Sequence, residues 1–507
     1  MQLPSLMIME HDPRRTALFV LNSLDKRRCT LDRILEDIEP QKRAHSPLLA
    51  AGLASESKNG KLPYGRRFPA ACGGELQNKE TAFSRRDQAL FHTLVYGVLR
   101  WRGRLDWIID HFSKIRIDKI EPAVMNILRL GLFQIIYLNR IPVSAAVNTS
   151  VEIAKSFASS PAAGFANALL RKAAGEYKKI PFPDPDKNSV CSLAVRKSFP
   201  EWLIKRWLNQ FGLKETKALC DAINTIPPIT VRTNSLRTTR DDLAKRLASY
   251  VQQIENTTYS PDGIRFIKPD RPIPEIKAFK DGWFQVQDEA AQLVACLLNP
   301  RPGDTVLDAC AGFGGKTGHI AQMMKNTGRL LAMDNQADKL QRLESEMKRL
   351  GISIVTTCNY DLTIPFDRQF SYMGFSGFDC VLLDAPCSGL GVLRRNPDAK
   401  WSISANRFNR YKARQINFLN NLAQLVKPSG TLVYAVCSTE PEENEEVVKG
   451  FLNKHPEFVV NNKLEGLPKN VYSLVNKNQY LKTCPHINNM DGFFAVCFKR
   501  VTQVNRS

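Results

Sequence analysis

Five side chains that could take part in chemistry stand at intervals in the C-terminal half of the sequence, each close to the end of a short apolar run. They are Asp308, Asp334, Asp361, Asp384 and Cys437. Carboxylates accept hydrogen bonds and exchange protons, and a cysteine thiolate is a nucleophile. One such residue at a strand end is often a turn former, but five in register indicate a ligand-binding or catalytic site.

A glycine-rich loop follows the first of these residues. It consists of Cys310, Ala311, Gly312, Phe313, Gly314, Gly315 and Lys316. The glycines remove side chains where a helix would begin, so a ligand could approach the backbone closely. The loop is neither a Walker A loop nor a dinucleotide fingerprint, because Cys310 and Thr317 stand where those motifs need glycine. It fits the looser D-x-x-x-G-x-G of methyltransferases, although a tight structural turn would use the same glycines.

Two acidic residues further along the chain are placed as a cofactor that contains adenosine would require. Asp334 comes twenty residues after Gly314, where a carboxylate at a strand end can accept hydrogen bonds from ribose hydroxyls. Asp361 is placed to accept from an adenine amino group, or alternatively to cap its own backbone. Lys316 fits the cofactor pocket or, equally, a solvated helix start.

The elements that would position these residues form a regular alternation of β and α segments after Gln287. This pattern predicts a doubly wound, Rossmann-like α/β sheet, in which ligands gather at the carboxyl ends of the strands. The candidate strands are Thr305 to Leu307, Leu330 to Met333, Ser353 to Thr357, Cys380 to Leu383 and Thr431 to Val436.

Two further units precede the sheet. Apolar residues at three-and-four spacing predict an all-α unit from about Pro13 to Glu176, with a capping-box-like helix start at Ser84 and Asp87 and with Pro122 in a first helical turn. The Pro-rich residues 180–187 indicate a linker, and residues 191–284 a small α+β module. Residues 47–78 lack periodicity, and we interpret them as a long loop or insertion.

The composition indicates a basic protein whose leading partner is nucleic acid. Among 507 residues, 71 Lys and Arg outnumber 50 Asp and Glu, which gives a formal charge of +21. The 12 cysteines include no C-x-x-C pair, so no zinc site or other metal site is expected, and Cys296, Cys380 and Cys497 lie in apolar runs typical of buried thiols. Neither a secretory signal nor a membrane-spanning segment is apparent, and we expect a cytoplasmic protein.

Two segments in the sheet region carry a family resemblance. The segments LLDAPCSGLGVLRRNPDAKW and LVYAVCSTEPEENE resemble the D-A-P-C-S and Y-A-x-C-S-x-x-x-x-E-N motifs of the RNA cytosine-C5 methyltransferases. The R-R-N-P-D-x-K-W segment resembles the members that modify bacterial 16S ribosomal RNA. The usual A-A-P-G-G-K-T of that family here keeps its glycines and Lys-Thr but loses its proline, since Gly312 and Phe313 stand in that part of the loop.

The resemblance implies an architecture and a substrate. It implies a NusB-like helical RNA-binding domain at residues 8–179, a small α+β RNA-binding module at 188–286, and a class I methyltransferase domain at 287–501. The implied methyl donor is S-adenosyl-L-methionine, and the implied partner is 16S ribosomal RNA, naked or in a partly assembled small subunit. We expect a monomer.

The same resemblance assigns roles to the reactive residues. Cys437 would be the nucleophile that adds to carbon 6 of cytosine, and Cys387 would assist elimination and release. The chemistry of the ring, independently of the resemblance, calls for a carboxyl group near the N3 and O2 edge of the base that can donate or share a proton. Asp384 is the candidate for this role, and it could also contact the cofactor. The alternatives are a core cysteine for Cys437 and a helix cap for Asp384.

A cationic and aromatic cluster follows the D-A-P-C-S motif. Arg394, Arg395, Lys400 and Trp401 could clamp phosphates and stack on bases, or form a solvated face. Rival functions are an NAD dehydrogenase, which the glycine spacing disfavours, and a non-catalytic RNA-binding factor, which the two cysteines disfavour. A DNA cytosine methyltransferase would place its nucleophile in the earlier Pro-Cys motif, so we hold DNA as an unlikely substrate.

Overall fold

The computed structural model describes residues 12–26, 30–38, 83–366 and 374–501. The contacts among these residues divide the chain into two compact units, the first ending at Arg206 and the second beginning at Trp207. Residues 47–78, interpreted from the sequence as an insertion, lie outside the described residues. No helix in the described part of the chain is long and apolar enough to cross a membrane.

The first unit is all-helical, as the sequence predicts. Its helices are α1 Pro13–Asp25, α2 Leu31–Ile38, α3 Arg85–Phe112, α4 Pro122–Tyr137, α5 Val143–Phe157, α6 Ser160–Glu176 and α7 Ser189–Lys197, and α8 Glu201–Ile223 begins in it. Ser84 caps α3 by accepting from the Asp87 amide, and Pro122 opens α4, which confirms both predicted helix starts. Helix α4 is buried on most sides because it packs against α1, α3, α5 and α6.

A small antiparallel sheet opens the second unit. Its strands are β1 Ile229–Thr233, β2 Val251–Asn256, β3 Gly263–Pro269 and β4 Phe284–Val286, and its helices are α9 Arg240–Leu247 and α10 Lys277–Lys280. The strand order is β2-β3-β1-β4. Inward-facing Val231, Ile264, Phe266 and Phe284 build a core that α9 and α10 cover, so the predicted α+β module is present.

A larger sheet forms the rest of the second unit. Its strands are β5 Thr305–Asp308, β6 Arg329–Asp334, β7 Val355–Asn359, β8 Phe378–Asp384, β9 Val426–Val436, β10 Phe458–Val460, β11 Leu481–Lys482 and β12 Phe494–Arg500. The accompanying helices are α11 Glu289–Leu298, α12 Gly315–Met323, α13 Ala337–Leu350, α14 Ala399–Ser402, α15 Phe408–Ala423, α16 Glu445–Leu452 and α17 Pro485–Asn488. All five strands predicted from the sequence are present.

The strand order of the larger sheet, β10-β12-β9-β8-β5-β6-β7, shows at which edge of the sheet a ligand would bind. Strands β5 to β9 are parallel, and the chain runs from β5 to β6 and β7 on one side before β8 returns to the other side of β5. In such sheets a crevice opens at this reversal, at the carboxyl ends of the strands. Asp308, Asp334 and Asp384 end their strands and Cys437 follows β9, so the predicted register is confirmed.

The sheet also contains strands that the alternating pattern did not predict. Strand β12 lies antiparallel between β9 and β10, and β11 pairs with the first two residues of β12, Phe494 and Ala495. The residues of β12 are buried from Phe494 to Phe498, so this part of the sequence is a continuous apolar run. Such a run does not show whether the strand is parallel or antiparallel to its neighbours.

Candidate active site

The glycine loop turns sharply between β5 and α12. Gly312 and Gly314 have φ angles of 56° and 84°, and a Cβ at Gly314 would lie 2.8 Å from Cγ of Leu343. The Ala311 amide donates to the Met333 carbonyl across a distance of 2.8 Å, which ties the loop to β6. A Cβ on Gly312 would meet no atom within 4 Å, so this part of the backbone faces open space. The loop is therefore both braced and accessible, as a ligand cradle requires.

Asp334 joins the loop to the end of β6. Its Oδ2 accepts from the Gly312 amide at 3.0 Å, and its Oδ1 accepts from the Gln336 amide at 3.0 Å. Each carboxylate oxygen has a further lone pair, so the group could also accept from hydroxyls of a ligand lying on the loop.

Asp308 is a fully buried carboxyl group at the end of β5. Thr317 donates to its Oδ2 at 2.7 Å, whereas Oδ1 has no hydrogen-bond partner among the described residues. Burial raises its pKa to about 7, with the nearby Asp384 and Asp334 charges adding to the effect. An unpartnered buried acceptor beside an open glycine loop fits a bound group that carries a donor or a positive charge, as the methionine part of S-adenosylmethionine does.

Lys316 and Asp384 form an ion pair inside the crevice. The Lys316 Nζ lies 2.5 Å from Asp384 Oδ2, and its side chain is only 11% exposed. Burial alone would lower the pKa of Lys316, but the charge and hydrogen bond of Asp384 outweigh it and leave the pKa raised. The solvated-lysine alternative is therefore wrong, and Asp384 holds a cation instead of acting only as a helix cap.

The two cysteines singled out by the motifs meet beside this ion pair. Their Sγ atoms are 3.3 Å apart, although fifty positions separate Cys387 from Cys437 in the chain. Both side chains are buried. The hydrogen bond with Cys437, burial and the nearby Glu443 carboxylate raise the pKa of the Cys387 thiol well above its ordinary value. Cys387 is thus held as a neutral thiol at neutral pH.

Two glycines, Gly391 and Gly492, form a close backbone contact beside Cys437, at the end of β9. The Gly391 amide donates to the Cys437 carbonyl at 2.9 Å, and the Gly492 amide donates to the Gly391 carbonyl at 2.8 Å. A Cβ on Gly391 would lie 1.8 Å from the Gly492 oxygen. Only glycine permits this approach, which the sequence did not single out.

Asp361 takes the alternative that the sequence left open. Its side chain is exposed, and its Oδ1 accepts from the Thr363 amide at 2.9 Å and from the Thr363 hydroxyl at 2.8 Å. It therefore caps its own loop in this structure, and a contact with adenine stays a prediction.

The cationic cluster after the D-A-P-C-S motif is not the predicted phosphate clamp. Arg395 lies between Asp288 and Asp491, at 2.8 Å from each, with its side chain 15% exposed, and Lys400 is fully buried with its Nζ 2.8 Å from Asn224 Oδ1. Arg394 is also buried and donates to Asn489. These side chains brace loops around the site because each positive charge has found protein acceptors, and the RNA-contact interpretation was wrong for them.

The α+β module reaches the glycine loop through one buried arginine. Arg232, from β1, donates to the Gly315 carbonyl at 2.8 Å, to Gln322 Oε1 at 2.8 Å and to Gln285 Oε1 at 2.9 Å. Full burial lowers its pKa to about 9. The VRTN segment thus positions the start of α12, which the sequence did not predict.

Phe313 occupies the loop where the related motif has proline. The side chains of Arg342 and Lys339 lie over its ring, at 5.3 and 5.8 Å from the centroid. Such cation–π contacts stabilise the loop's outer face in place of a rigid proline. Burial raises the pKa of the neighbouring Cys310 thiol well above its ordinary value, so this residue is a neutral part of the loop.

Comparison with family models assigns all three parts of the chain. The family model described as "16S rRNA methyltransferase RsmB/F" matches residues 295–499. The NusB family model matches residues 68–175, and the model of the RsmF/B-like ferredoxin-like domain matches residues 199–273. A probable ribosomal RNA small subunit methyltransferase B of Bacillus subtilis is 35% identical over 83% of this chain and 92% of its own length. The ribosomal RNA small subunit methyltransferase B of Pseudomonas putida is 34% identical over 78% of this chain and 90% of its own length.

Solved structures show the same fold. The crystal structure of PH0851 superposes with a TM-score of 0.70 at 28% identity, covering 82% of this chain and 90% of that one. NSun6 from Pyrococcus horikoshii, solved with SFG, superposes with a TM-score of 0.52 at 21% identity over 61% of this chain and all of that one. These likenesses agree with the helical unit, the small module and the methyltransferase sheet described above.

Proposed function

Because this chain belongs to the family of S-adenosylmethionine-dependent ribosomal RNA small subunit methyltransferases B, we propose that it methylates carbon 5 of a cytosine in 16S ribosomal RNA through a covalent cysteine adduct. The observation that carries the proposal is the 3.3 Å approach of the Cys387 and Cys437 sulfurs beside the Lys316–Asp384 ion pair. A methyltransferase acting on oxygen or nitrogen needs no pair of thiols, whereas attack at a pyrimidine ring uses a nucleophile and a means of release.

The cofactor would lie on the glycine loop at the ends of β5 and β6. The open backbone at Gly312 and the carboxylates of Asp308 and Asp334 would hold its amino and hydroxyl groups, with Lys316 lining the pocket. When bound, S-adenosylmethionine supplies an electrophilic methyl group on a positively charged sulfur. Both bonds from Thr363 reach Asp361 Oδ1, so Oδ2 could accept from the adenine amino group while the side chain keeps its place.

Cys437 would start the reaction. Carbon 5 of cytosine is a poor nucleophile, and addition of the Cys437 thiolate to carbon 6 makes carbon 5 enamine-like. The target base has to leave its stack to reach Cys437, a residue that is only 7% exposed, so the nucleotide would be drawn into the crevice.

Asp384 and Lys316 would stabilise the negative charge that this addition places on the ring. Electron density moves toward the N3 and O2 edge, where a donor stabilises it. The Lys316 ammonium, 2.5 Å from Asp384 Oδ2, is the nearest proton source for that carboxyl group. The pair could therefore donate to the ring in the addition step and recover the proton when the adduct collapses.

Cys387 would assist release. After methyl transfer a base, water or a side chain in the crevice, takes the carbon 5 proton, and the electron pair left behind restores the 5,6 double bond and expels the Cys437 sulfur from carbon 6 as a thiolate. The Cys387 thiol lies 3.3 Å from the departing sulfur and is neutral, because its contact with Cys437, burial and Glu443 raise its pKa. It therefore carries a proton that it can pass to that sulfur and regain from solvent. The proposal is that Cys387 acts in this step, with Cys437 as the only nucleophile.

The first experiment follows tritium from carbon 5 of cytosine in unmodified 16S RNA. Wild-type protein with S-adenosylmethionine should release tritium, and Cys437→Ala should abolish release because no adduct forms. Cys387→Ala should accumulate a protein–RNA adduct that survives denaturing electrophoresis, because its collapse is blocked.

Cys380→Ala is the matched control, since Cys380 is a buried cysteine on β8 that lies away from the crevice. It should release tritium at a rate within a few-fold of wild type. Tritium release that persists in Cys437→Ala would overturn the assigned nucleophile. Absence of release from wild-type protein that binds cofactor and RNA would reject the cytosine-C5 reaction itself.

A further inference from the structure

A buried carboxylate connects the two cysteine loops. Glu443 is fully buried, and Ser388 approaches it twice, with its amide 2.8 Å from Oε1 and its hydroxyl 2.5 Å from Oε2. The Ser438 hydroxyl lies 2.6 Å from the same Oε2, and Gln415 donates to Oε1 at 3.3 Å. Because Ser388 and Ser438 directly follow the two cysteines, one carboxylate gathers both Cys-Ser pairs.

The Glu443 backbone is fixed as well. Its carbonyl accepts from the Tyr434 hydroxyl at 2.6 Å, which anchors it to β9. The two serine hydroxyls are 3.2 Å apart, so the serines approach each other as their neighbouring cysteines do at 3.3 Å. The carboxylate thus sits where it sets the separation of both pairs at once.

We propose that Glu443 is a positioning residue that holds the Cys387 and Cys437 sulfurs in contact and confines nucleophilic reactivity to one of them. Its catalytic consequence rests on the proposed function, whereas its effect on the two sulfurs does not. A buried charge is costly unless several donors face it, and the four donors around Glu443 supply that compensation only while both loops are in place.

The charge of Glu443 also acts on Cys387. The groups that face this thiol are Cys437, Glu443, Tyr411 and Tyr434. Glu443 raises the pKa of Cys387, so removing its charge should let the Cys387 thiolate form at lower pH. A residue that only supported the fold would not change this titration in a protein that remains folded.

The first test measures the contact between the sulfurs without any RNA. The oxidant diamide takes one hydrogen from each thiol, joins the two sulfurs and is reduced to the hydrazine, and peptide mapping quantifies the Cys387–Cys437 disulfide. Wild-type protein should form it readily. Once each rate is divided by the fraction of Cys387 thiolate at the assay pH, which the titration below supplies, Glu443→Gln should form the disulfide about tenfold more slowly, the factor expected from losing one charge-assisted hydrogen bond.

Glu440→Gln is the matched control. Glu440 is another fully buried glutamate of the same loop, but its Oε1 accepts from the Trp207 ring nitrogen at 3.2 Å and not from the serine that follows Cys387. This variant should form the disulfide at the wild-type rate. If Glu443→Gln fails to fold, Ser438→Ala removes one donor and should show a smaller decrease.

The second test titrates Cys387 by alkylation across pH in a Cys437→Ala background, with and without Glu443→Gln. The pH at half-maximal alkylation should fall when Glu443 loses its charge and stay unchanged with Glu440→Gln. A folded Glu443→Gln protein with wild-type disulfide formation and an unchanged Cys387 titration would overturn the proposal, and so would a folded Ser438→Ala protein with wild-type disulfide formation.

These two readouts separate the inference from the proposed reaction. Inactive wild-type protein with the expected disulfide and titration results would reject cytosine-C5 methylation but keep the positioning role. In active protein, Glu443→Gln should lower the rate of tritium release at saturating RNA by at least about tenfold, because displacement of reacting atoms by about 1 Å costs up to about a hundredfold in rate.

Discussion

Asp308 shows how strongly the fold changes the chemistry of a single carboxyl group. Burial raises its pKa from 3.8 to about 7, so the folded protein binds this proton more tightly than the unfolded chain does. Its stabilising contribution is complete below about pH 4 and is lost as the pH rises to 7. At about 1.4 kcal/mol per pH unit, the loss between pH 5 and 7 is on the order of 2 kcal/mol.

Asp308→Asn removes this titration and keeps an acceptor for Thr317. We expect the free energy of unfolding of the variant, relative to wild type, to increase by on the order of 2 kcal/mol from pH 5 to pH 7. Urea denaturation of the cofactor-free proteins measures it. Asp338→Asn, at an exposed position of α13, is the control. A difference between Asp308→Asn and wild type that does not change with pH would contradict the raised pKa.

The positions of single residues were predicted well where they depend on strand ends, and the roles of these residues stay predictions. Asp308, Asp334, Asp384 and Cys437 could be found because strand ends and motif spacing are local properties. The role of Arg395 could not, because a basic residue in a loop looks the same whether it faces solvent or two buried carboxylates. Glu443 could not be singled out from the sequence, since its partners Ser388 and Gln415 are distant along the chain.

At the scale of elements, the end of β9 depends on the contact between the loops that contain Gly391 and Gly492. Gly391→Ala would place a Cβ 1.8 Å from the Gly492 oxygen, so one backbone has to move and the bond to the Cys437 carbonyl weakens. We expect a loss of about 1–3 kcal/mol in stability and at least a tenfold loss in tritium release. Chemical denaturation and the release assay measure both.

Gly164→Ala is the matched control for this substitution. Gly164 lies within α6, and a Cβ there would meet no atom within 4 Å. Alanine at an open helical position should raise stability by about 0.5–1 kcal/mol and leave tritium release unchanged. A Gly391→Ala protein that behaves like Gly164→Ala would show that the close backbone approach is not needed.

The element order was predictable to the end of β9 and less so beyond it. Apolar runs and intervening amphipathic helices identify β5 to β9 because each parallel crossover needs a helix. The short β10 and β11 carry few residues, and the antiparallel direction of β12 depends on pairing with β9. Arg232 likewise joins the small module to the glycine loop through contacts that no sequence spacing encodes.

At the scale of the whole molecule, charge governs the encounter with RNA. The formal charge of +21 predicts binding with many phosphate contacts, although Arg395 and Lys400 do not contribute to them. We expect the affinity for 16S RNA to fall by about a thousandfold or more between 50 and 200 mM salt, the value for roughly six or more phosphate contacts. Filter binding over a salt series measures the slope.

S-adenosylmethionine binding provides the internal comparison for this prediction. The site proposed for it on the glycine loop would make few ionic contacts, so its affinity should change much less over the same salt series. A flat salt dependence for RNA would mean that binding depends on base and shape contacts in place of phosphate charge. A steep dependence for the cofactor would instead indicate that salt perturbs the protein.

The position of β12 in the sheet has a consequence for biosynthesis. It is the last strand of the sheet in chain order, yet it lies between β9 and β10. While the ribosome is still making residues 437–493, the nucleophile's strand β9 has one edge without its partner, and an open apolar edge invites pairing with other chains. The nascent protein therefore exposes an edge prone to association at this stage, and the sheet beside Cys437 is completed only after β12 has emerged from the ribosome.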